Sequence, residues 1–177
     1  MEAHGGKYLT FTLDKEVYGI PIKKVKEIIG MMEITHIPKT QHYIKGVINL
    51  RGKIIPLMDL RLKFGMEEKA YNDRTCVIVI EVHLSEFQRL VGVIVDAVAE
   101  VTYIQGSEIE PPPQYEAQIE GDFLTGLGKL KDKVILIVDI EKVLSNEEIA
   151  LLKKDLAAET REDLKDDATS SNDDTKK

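Results

Sequence analysis

Gly46-Val47-Ile48-Asn49-Leu50-Arg51-Gly52-Lys53-Ile54-Ile55-Pro56-Leu57-Met58-Asp59-Leu60 is the stretch on which the reading of this chain turns. It runs as apolar strand, basic turn, apolar strand, aspartate and helix start. Gly52 supplies the positive backbone dihedral that a tight strand-to-strand turn needs. Asp59 fits a helix N-cap, because its side-chain oxygen can accept from the free N–H groups of the first turn of Leu60–Phe64. The same order returns at Gly126 … Leu130-Lys131-Asp132-Lys133-Val134-Ile135-Leu136-Ile137-Val138-Asp139-Ile140, with a helical piece from Ile140 to Leu144. A second block also recurs in the same order. Gly19-Ile20-Pro21-Ile22-Lys23-Lys24-Val25-Lys26-Glu27-Ile28 is answered by Gly92-Val93-Ile94-Val95-Asp96-Ala97-Val98-Ala99-Glu100-Val101. Two matches in register and in order mark a duplicated lobe.

Working outward, alternating apolar and β-branched residues predict strands at Tyr8–Leu13 and Val17–Ile22 around the polar turn Asp14-Lys15-Glu16. Others fall at Gly46–Leu50, Lys53–Met58, Arg74–Val82, Leu90–Asp96, Val98–Tyr103 and Lys133–Val138. The helical pieces are brief, apart from a longer one from Asn146, where Ser145 and Glu148 fit a capping box. Many short strands with few helices predict a mainly β protein of small barrels rather than alternating βαβ units. The lobes fall at about residues 8–66 and 74–144, with the polar segment Glu67–Asp73 between them. Two like lobes share a groove, and grooves between domains are common binding sites. From Glu159 to Lys177 the chain is acidic and small-polar and is expected to be disordered.

Composition narrows the function. In 177 residues, 43% of them hydrophobic, there is room for one ordinary core or two small ones. A formal net charge of -7 opposes general phosphate binding, which rests on clustered Lys and Arg. The single cysteine, Cys76, excludes an internal disulfide framework, sits in an apolar run and suits a reducing compartment. Met1–Lys7 has no apolar signal core, and no stretch approaches the roughly 20 apolar residues of a bilayer span, so a cytoplasmic protein is expected. His4, His36, His42, His83 and Cys76 show no metal-ligand spacing, and neither a nucleophile elbow nor a complete phosphate loop is present. No metal, cofactor or catalytic residue is assigned. A small-barrel nucleic-acid binder is opposed by the charge, and an enzyme using Asp59, Asp96 or Asp139 is opposed by the capping role of the first and last.

The Gly46–Leu60 stretch resembles the signature of the CheW family of chemotaxis coupling proteins. Val25-Lys26-Glu27-Ile28, Val91-Gly92-Val93-Ile94-Val95-Asp96-Ala97-Val98 and Phe123-Leu124-Thr125-Gly126-Leu127-Gly128 extend the likeness, which covers about Tyr8 to Leu152. The resemblance implies a CheW-like domain over residues 8–152. This would comprise two interlocked five-stranded Src-homology-3-like barrels with a hydrophobic groove between them, short helices and a C-terminal helix. It implies a non-enzymatic adaptor, or scaffold, of a two-component signal-transduction system. Such an adaptor joins the cytoplasmic tip of a methyl-accepting chemoreceptor to the regulatory domain of the histidine kinase CheA, and is recruited to receptor arrays at the inner face of the membrane. Carried over by motif, Val25, Glu27, Ile28, Asn49 and Arg51 are expected to contact the receptor. Gly46 and Tyr115 are expected on the kinase side, the latter presented by the stiff run Pro111-Pro112-Pro113-Gln114-Tyr115. Gln114 and Glu110 depart from the family's pattern beside that aromatic. Glu27 and Arg51 are expected to pair and so hold the receptor-facing surface in shape.

Overall fold

A computed structural model describes residues 3–84, 86–113 and 123–144. The segment from Asn146, Tyr115 and the acidic tail lie outside the described residues. The chain runs through β1 (Gly6–Leu13), β2 (Glu16–Pro21), a single 3-10 turn at Ile22–Lys24, β3 (Val25–Gly30), β4 (Ile44–Leu50), β5 (Lys53–Asp59) and α1 (Leu60–Lys63). It continues through β6 (Cys76–Leu84), β7 (Phe87–Val95), β8 (Ala97–Ile104), β9 (Ile109–Glu110), β10 (Leu124–Leu130), β11 (Lys133–Val138) and α2 (Ile140–Val143). The fold is mainly β, in two Src-homology-3-like units.

One sheet has the order β8-β1-β2-β11-β10-β9, the other β3-β6-β7-β5-β4. The sixth strand of the first, β9, is two residues long, and its counterpart in the second sheet is the single bridge Thr35–Val47. The duplication is visible bond by bond. β5 runs parallel to β7 with Leu57 opposite Gly92, and β11 runs parallel to β2 with Ile137 opposite Gly19. Bulges interrupt β4 between Ile44 and Gly46 and β10 between Leu124 and Gly126. The Asp59 amide donates to the Tyr43 carbonyl as the Asp139 amide does to that of Phe123, both at 2.8 Å.

Neither sheet follows one half of the sequence. Each takes a hairpin from one half and its remaining strands from the other, and the exchange takes place at two short connectors. Only Ile22–Lys24 separates β2 from β3, and only Asp96 separates β7 from β8. Pro21, lacking an N–H and held at φ -56, ends the β2 ladder. Neither link folds its strand back as the two-residue turns at Asp14-Lys15 and Arg51-Gly52 do; at both the chain crosses into the other sheet. β3 was not among the strands expected from the sequence, because Lys26 and Glu27 break its apolar run.

The second sheet closes over Ile48, Ile55, Leu57, Val77, Val79 and Ile94, and the first over Tyr8, Ile104, Ile135 and Ile137. Stacked rings join Phe11 to Tyr18, Tyr18 to Phe64 and Phe64 to Phe123, with centroids 5.7, 5.8 and 5.0 Å apart. The ring on α1's C-cap, Phe64, therefore sits between side chains of the other sheet's β2 and the residue leading into β10. Such ring pairs add to stability beyond the area they bury.

Candidate functional site

The β4–β5 turn presents Arg51. Its φ is 49° and that of Gly52 is 85°, so both central turn residues are left-handed, as a two-residue hairpin with the native strand twist requires. The sequence assigned the positive dihedral to Gly52 alone; the structure places Arg51 there too. Lys131, its counterpart in the repeat, sits at φ 53°, so the strain belongs to the turn and not to the arginine. The Asn49 side-chain oxygen accepts from the Gly52 amide at 2.8 Å, fixing the turn from within.

Arg51 and Glu27 form a two-pronged pair. Nη1 donates to Oε1 at 3.0 Å and Nη2 donates to Oε2. Planar guanidinium against planar carboxylate fixes orientation as well as distance. These hydrogen bonds hold the Glu27 carboxyl below the usual carboxylate range. The pair tethers β3, at one edge of the second sheet, to the turn after β4, at its other edge. The expected Glu27–Arg51 contact is thus present, and Ile28 beside it on the strand is 42% exposed. Val25 is half-buried at the start of β3 and immediately follows Lys24 of the 3-10 turn. Ile54, which faces Asn49 across the hairpin, is 45% exposed and was not singled out from the sequence.

Gly46 offers no surface. It is buried at φ 135°, and a Cβ there would collide with the Thr35 carbonyl oxygen, so its role in the structure is to let β4 approach the 35–47 bridge.

Between the two sheets lies a groove of about 590 Å³. Ile20, Pro21, Ile22, Ile80 and Ile137 contribute apolar walls, and Lys24 and Glu141 stand among the charged residues that line it. Lys24 in the groove wall immediately precedes Val25, the first residue of β3.

The aspartates considered for catalysis are occupied. Asp59 is buried; one oxygen accepts from the Leu62 amide at 3.3 Å and the other from the Tyr71 hydroxyl at 2.8 Å. Burial, followed by that bond to Asp59, raises the Tyr71 pKa and keeps the phenol protonated. Asp139 accepts from the Glu141 amide at 3.1 Å, and Asp96 is held by Arg61 and the Asp14 amide. Among the described residues no group of three His, Cys, Asp or Glu side chains is placed to hold a metal ion, and no helix is long and apolar enough to cross a membrane.

Arg61 is the polar residue sequence reasoning missed. Between Leu60 and Leu62 in a one-turn helix it reads as a solvated charge, yet it is 7% exposed. The only signal was its place one residue after the apolar start of the helix, where its repeat counterpart is Glu141.

Residues 7–148 match the family model described as CheW-like domain. The chain is 45% identical over 151 residues to the chemotaxis protein CheW of Klebsiella aerogenes, covering 85% of this chain and 89% of that one. It is 32% identical over 143 residues to the chemotaxis protein CheW of Bacillus subtilis, covering 81% and 89%. The crystal structure of the scaffolding protein TtCheW from Thermoanaerobacter tengcongensis superposes with a TM-score of 0.72 at 38% identity, over 81% of this chain and 95% of that one.

Proposed function

The chain belongs to the CheW family and is a chemotaxis adaptor; from that premise we propose that it couples a chemoreceptor's cytoplasmic tip to the regulatory domain of the kinase CheA, and does so without catalysis. The supporting observation is the Arg51–Glu27 pair, which braces an exposed surface instead of serving a reaction. Val25, Glu27, Ile28, Asn49 and Arg51 form the receptor side. Asn49 and Arg51 act there partly by shaping the turn, while Val25 and Ile28 offer apolar contact. The kinase side involves the region around Gly46 as backbone, together with Tyr115. The domain spans residues 8–152, with its two barrels drawn from both halves of the chain, and the protein works at receptor arrays on the inner face of the membrane.

The mechanism is linkage of binding free energies. A receptor's change of state reaches the kinase only if the adaptor binds the two receptor states with different affinity. A rigid surface transmits such a difference with less loss than a floppy one, which is the use of a two-pronged pair that adds little stability.

The test is titration of wild type and of Val25→Ala and Arg51→Ala against a receptor cytoplasmic hairpin and a CheA regulatory domain, with folding checked by circular dichroism. Saturable binding to both by wild type is expected, with Val25→Ala weakening the receptor and sparing the kinase. Folded wild type that binds neither would overturn the reading.

A further inference from the structure

The repeat relates two charged contacts that hold one barrel to the other, and it reverses their sign. Arg61 and Glu141 are equivalent, each the second residue of the helix that follows a capping aspartate. Arg61, on the helix leaving the second sheet, donates through Nη1 to Asp96 Oδ2 at 2.7 Å and to Asp14 Oδ1. Asp96 is the one-residue crossover from β7 to β8, and Asp14 is in the hairpin turn of the first sheet. Glu141, on the helix leaving the first sheet, accepts from Lys24 Nζ at 3.2 Å and from the His83 amide at 2.9 Å. Lys24 is in the other crossover, and His83 is at the end of β6 in the second sheet. Each contact thus ties a helix of one barrel to a crossover and to a hairpin end of the other.

Their surroundings differ. The Arg61 and Asp96 side chains are 9% and 16% exposed, against 38% and 27% for Lys24 and Glu141. Arg61 is further held by Nε and Nη2, which donate to the Glu67 carbonyl at 3.2 and 3.0 Å, and the Asp14 amide donates to Asp96 Oδ2 at 2.8 Å. Burial alone would lower the guanidinium's pKa; the two carboxylates more than offset it. Four donor groups in a planar fork cannot be replaced by water one at a time without stranding a buried charge. Lys24 is a half-exposed point charge with one hydrogen bond, which water can replace. Lys24 and Glu141 line the groove, whereas Arg61 and Asp96 do not.

We infer that Arg61 is a positioning residue, the fixed pivot that sets the angle between the two barrels, and that Lys24–Glu141 is a releasable latch in the groove wall, so that the groove opens about the Arg61 side. The inference rests on the proposed function only in its last arm, because the angle is a property of the free chain.

The experiment uses the full chain with Cys76→Ser and spin labels at Lys53→Cys and Lys133→Cys, repeat-equivalent exposed positions on the two barrels, and reads the interlabel distance by pulsed electron resonance. The parent gives one narrow distribution. Lys24→Glu, which sets two carboxylates face to face, broadens it, and Lys24→Glu with Glu141→Lys narrows it again. Arg61→Lys keeps the charge but loses the fork, and displaces the mean distance. If that variant does not fold, Asp14→Asn at the half-exposed end of the same cluster takes its place with the same expected displacement. Unchanged distributions in all variants, or a broadening by Lys24→Glu that the charge swap does not reverse, would overturn the inference, leaving the stacked rings to set the angle. In unlabelled protein, Lys24→Glu changes affinity for a receptor hairpin at least about fivefold and the swap restores it. Distances that respond while affinity does not would overturn the link to groove width. Distances that respond as expected while wild type binds no receptor would refute the proposed partner and leave the pivot standing.

Discussion

Gly46 shows how much a single atom decides here. Its φ of 135° is closed to ordinary L residues, and the space a Cβ needs is taken by the Thr35 carbonyl. Gly46→Ala is expected to cost at least about 3 kcal/mol, combining backbone strain with displacement of a strand, or to prevent folding. Gly52, also left-handed at φ 85°, has open space around it, so Gly52→Ala should cost only about 1 kcal/mol. Urea unfolding of both variants checks the contrast; equal losses would mean that the turn, not the bridge, governs this hairpin. Glu27 makes a different test. Its folded pKa lies below the unfolded value, so whatever the pair contributes is present above the unfolded pKa and is lost as pH falls through the folded one. The paired surface is therefore constant through neutral pH and fails only in acid. Carboxyl carbon resonances of Glu27 should titrate below an unpaired glutamate in wild type and return to the ordinary range in Arg51→Ala. The pairing was legible in the sequence through the family motif. That Asn49 serves the turn, that Arg51 itself is left-handed and that Gly46 is wholly buried were not, because motif spacing carries no dihedral angles and no neighbours from distant sequence.

At the scale of elements, the strand–turn–strand–aspartate–helix unit was read correctly twice because each of its parts has a local cause: alternation for the strands, a left-handed turn, an oxygen acceptor for the first helical amides. The two caps nonetheless differ in worth. Asp59 accepts from Leu62 and also from Tyr71, which comes from the segment between the two repeats, whereas Asp139 has only its amide partner within the described residues. Asp59→Ala is expected to cost about 2 kcal/mol, one part the lost cap and one part a stranded phenol, and Asp139→Ala about 1 kcal/mol. Tyr71→Phe should recover most of that difference when combined with Asp59→Ala, since it removes the orphaned hydroxyl. Equal losses for the two aspartates would show that the Tyr71 contact contributes nothing. β3 escaped the sequence reading for the opposite reason. Its order comes from β6 and from Arg51, both far away in sequence, and its own residues Lys26 and Glu27 are paired charges and not apolar steps.

At the scale of the molecule, the sequence announces a duplication, and the structure exchanges strands between the two copies at short connectors. With one residue between β7 and β8 and three between β2 and β3, each repeat hands its next strand to the other sheet. The pairings β1–β8, β2–β11, β3–β6 and β5–β7 all join the first half of the chain to the second. A cut in the polar segment between the repeats, after Lys69, therefore leaves each fragment with hairpins but with neither sheet complete. Isolated hairpins are marginal in water, so each fragment alone should lack a cooperative unfolding transition. Mixed in equal amounts, they should regain the β-sheet circular dichroism of the intact chain and elute as one species. Because the cut turns an intramolecular closure into a bimolecular one, the melting temperature of the mixture should rise with concentration where that of the intact chain does not. A fragment that unfolds cooperatively by itself would mean that a lobe closes within one half of the chain, and that the pairings between the halves are not what completes each sheet. If the fragments complement as expected, the two barrels cannot separate without unfolding. A signal passing through this adaptor must then travel as a change of angle between barrels or of partner affinity, not as release of one barrel from the other.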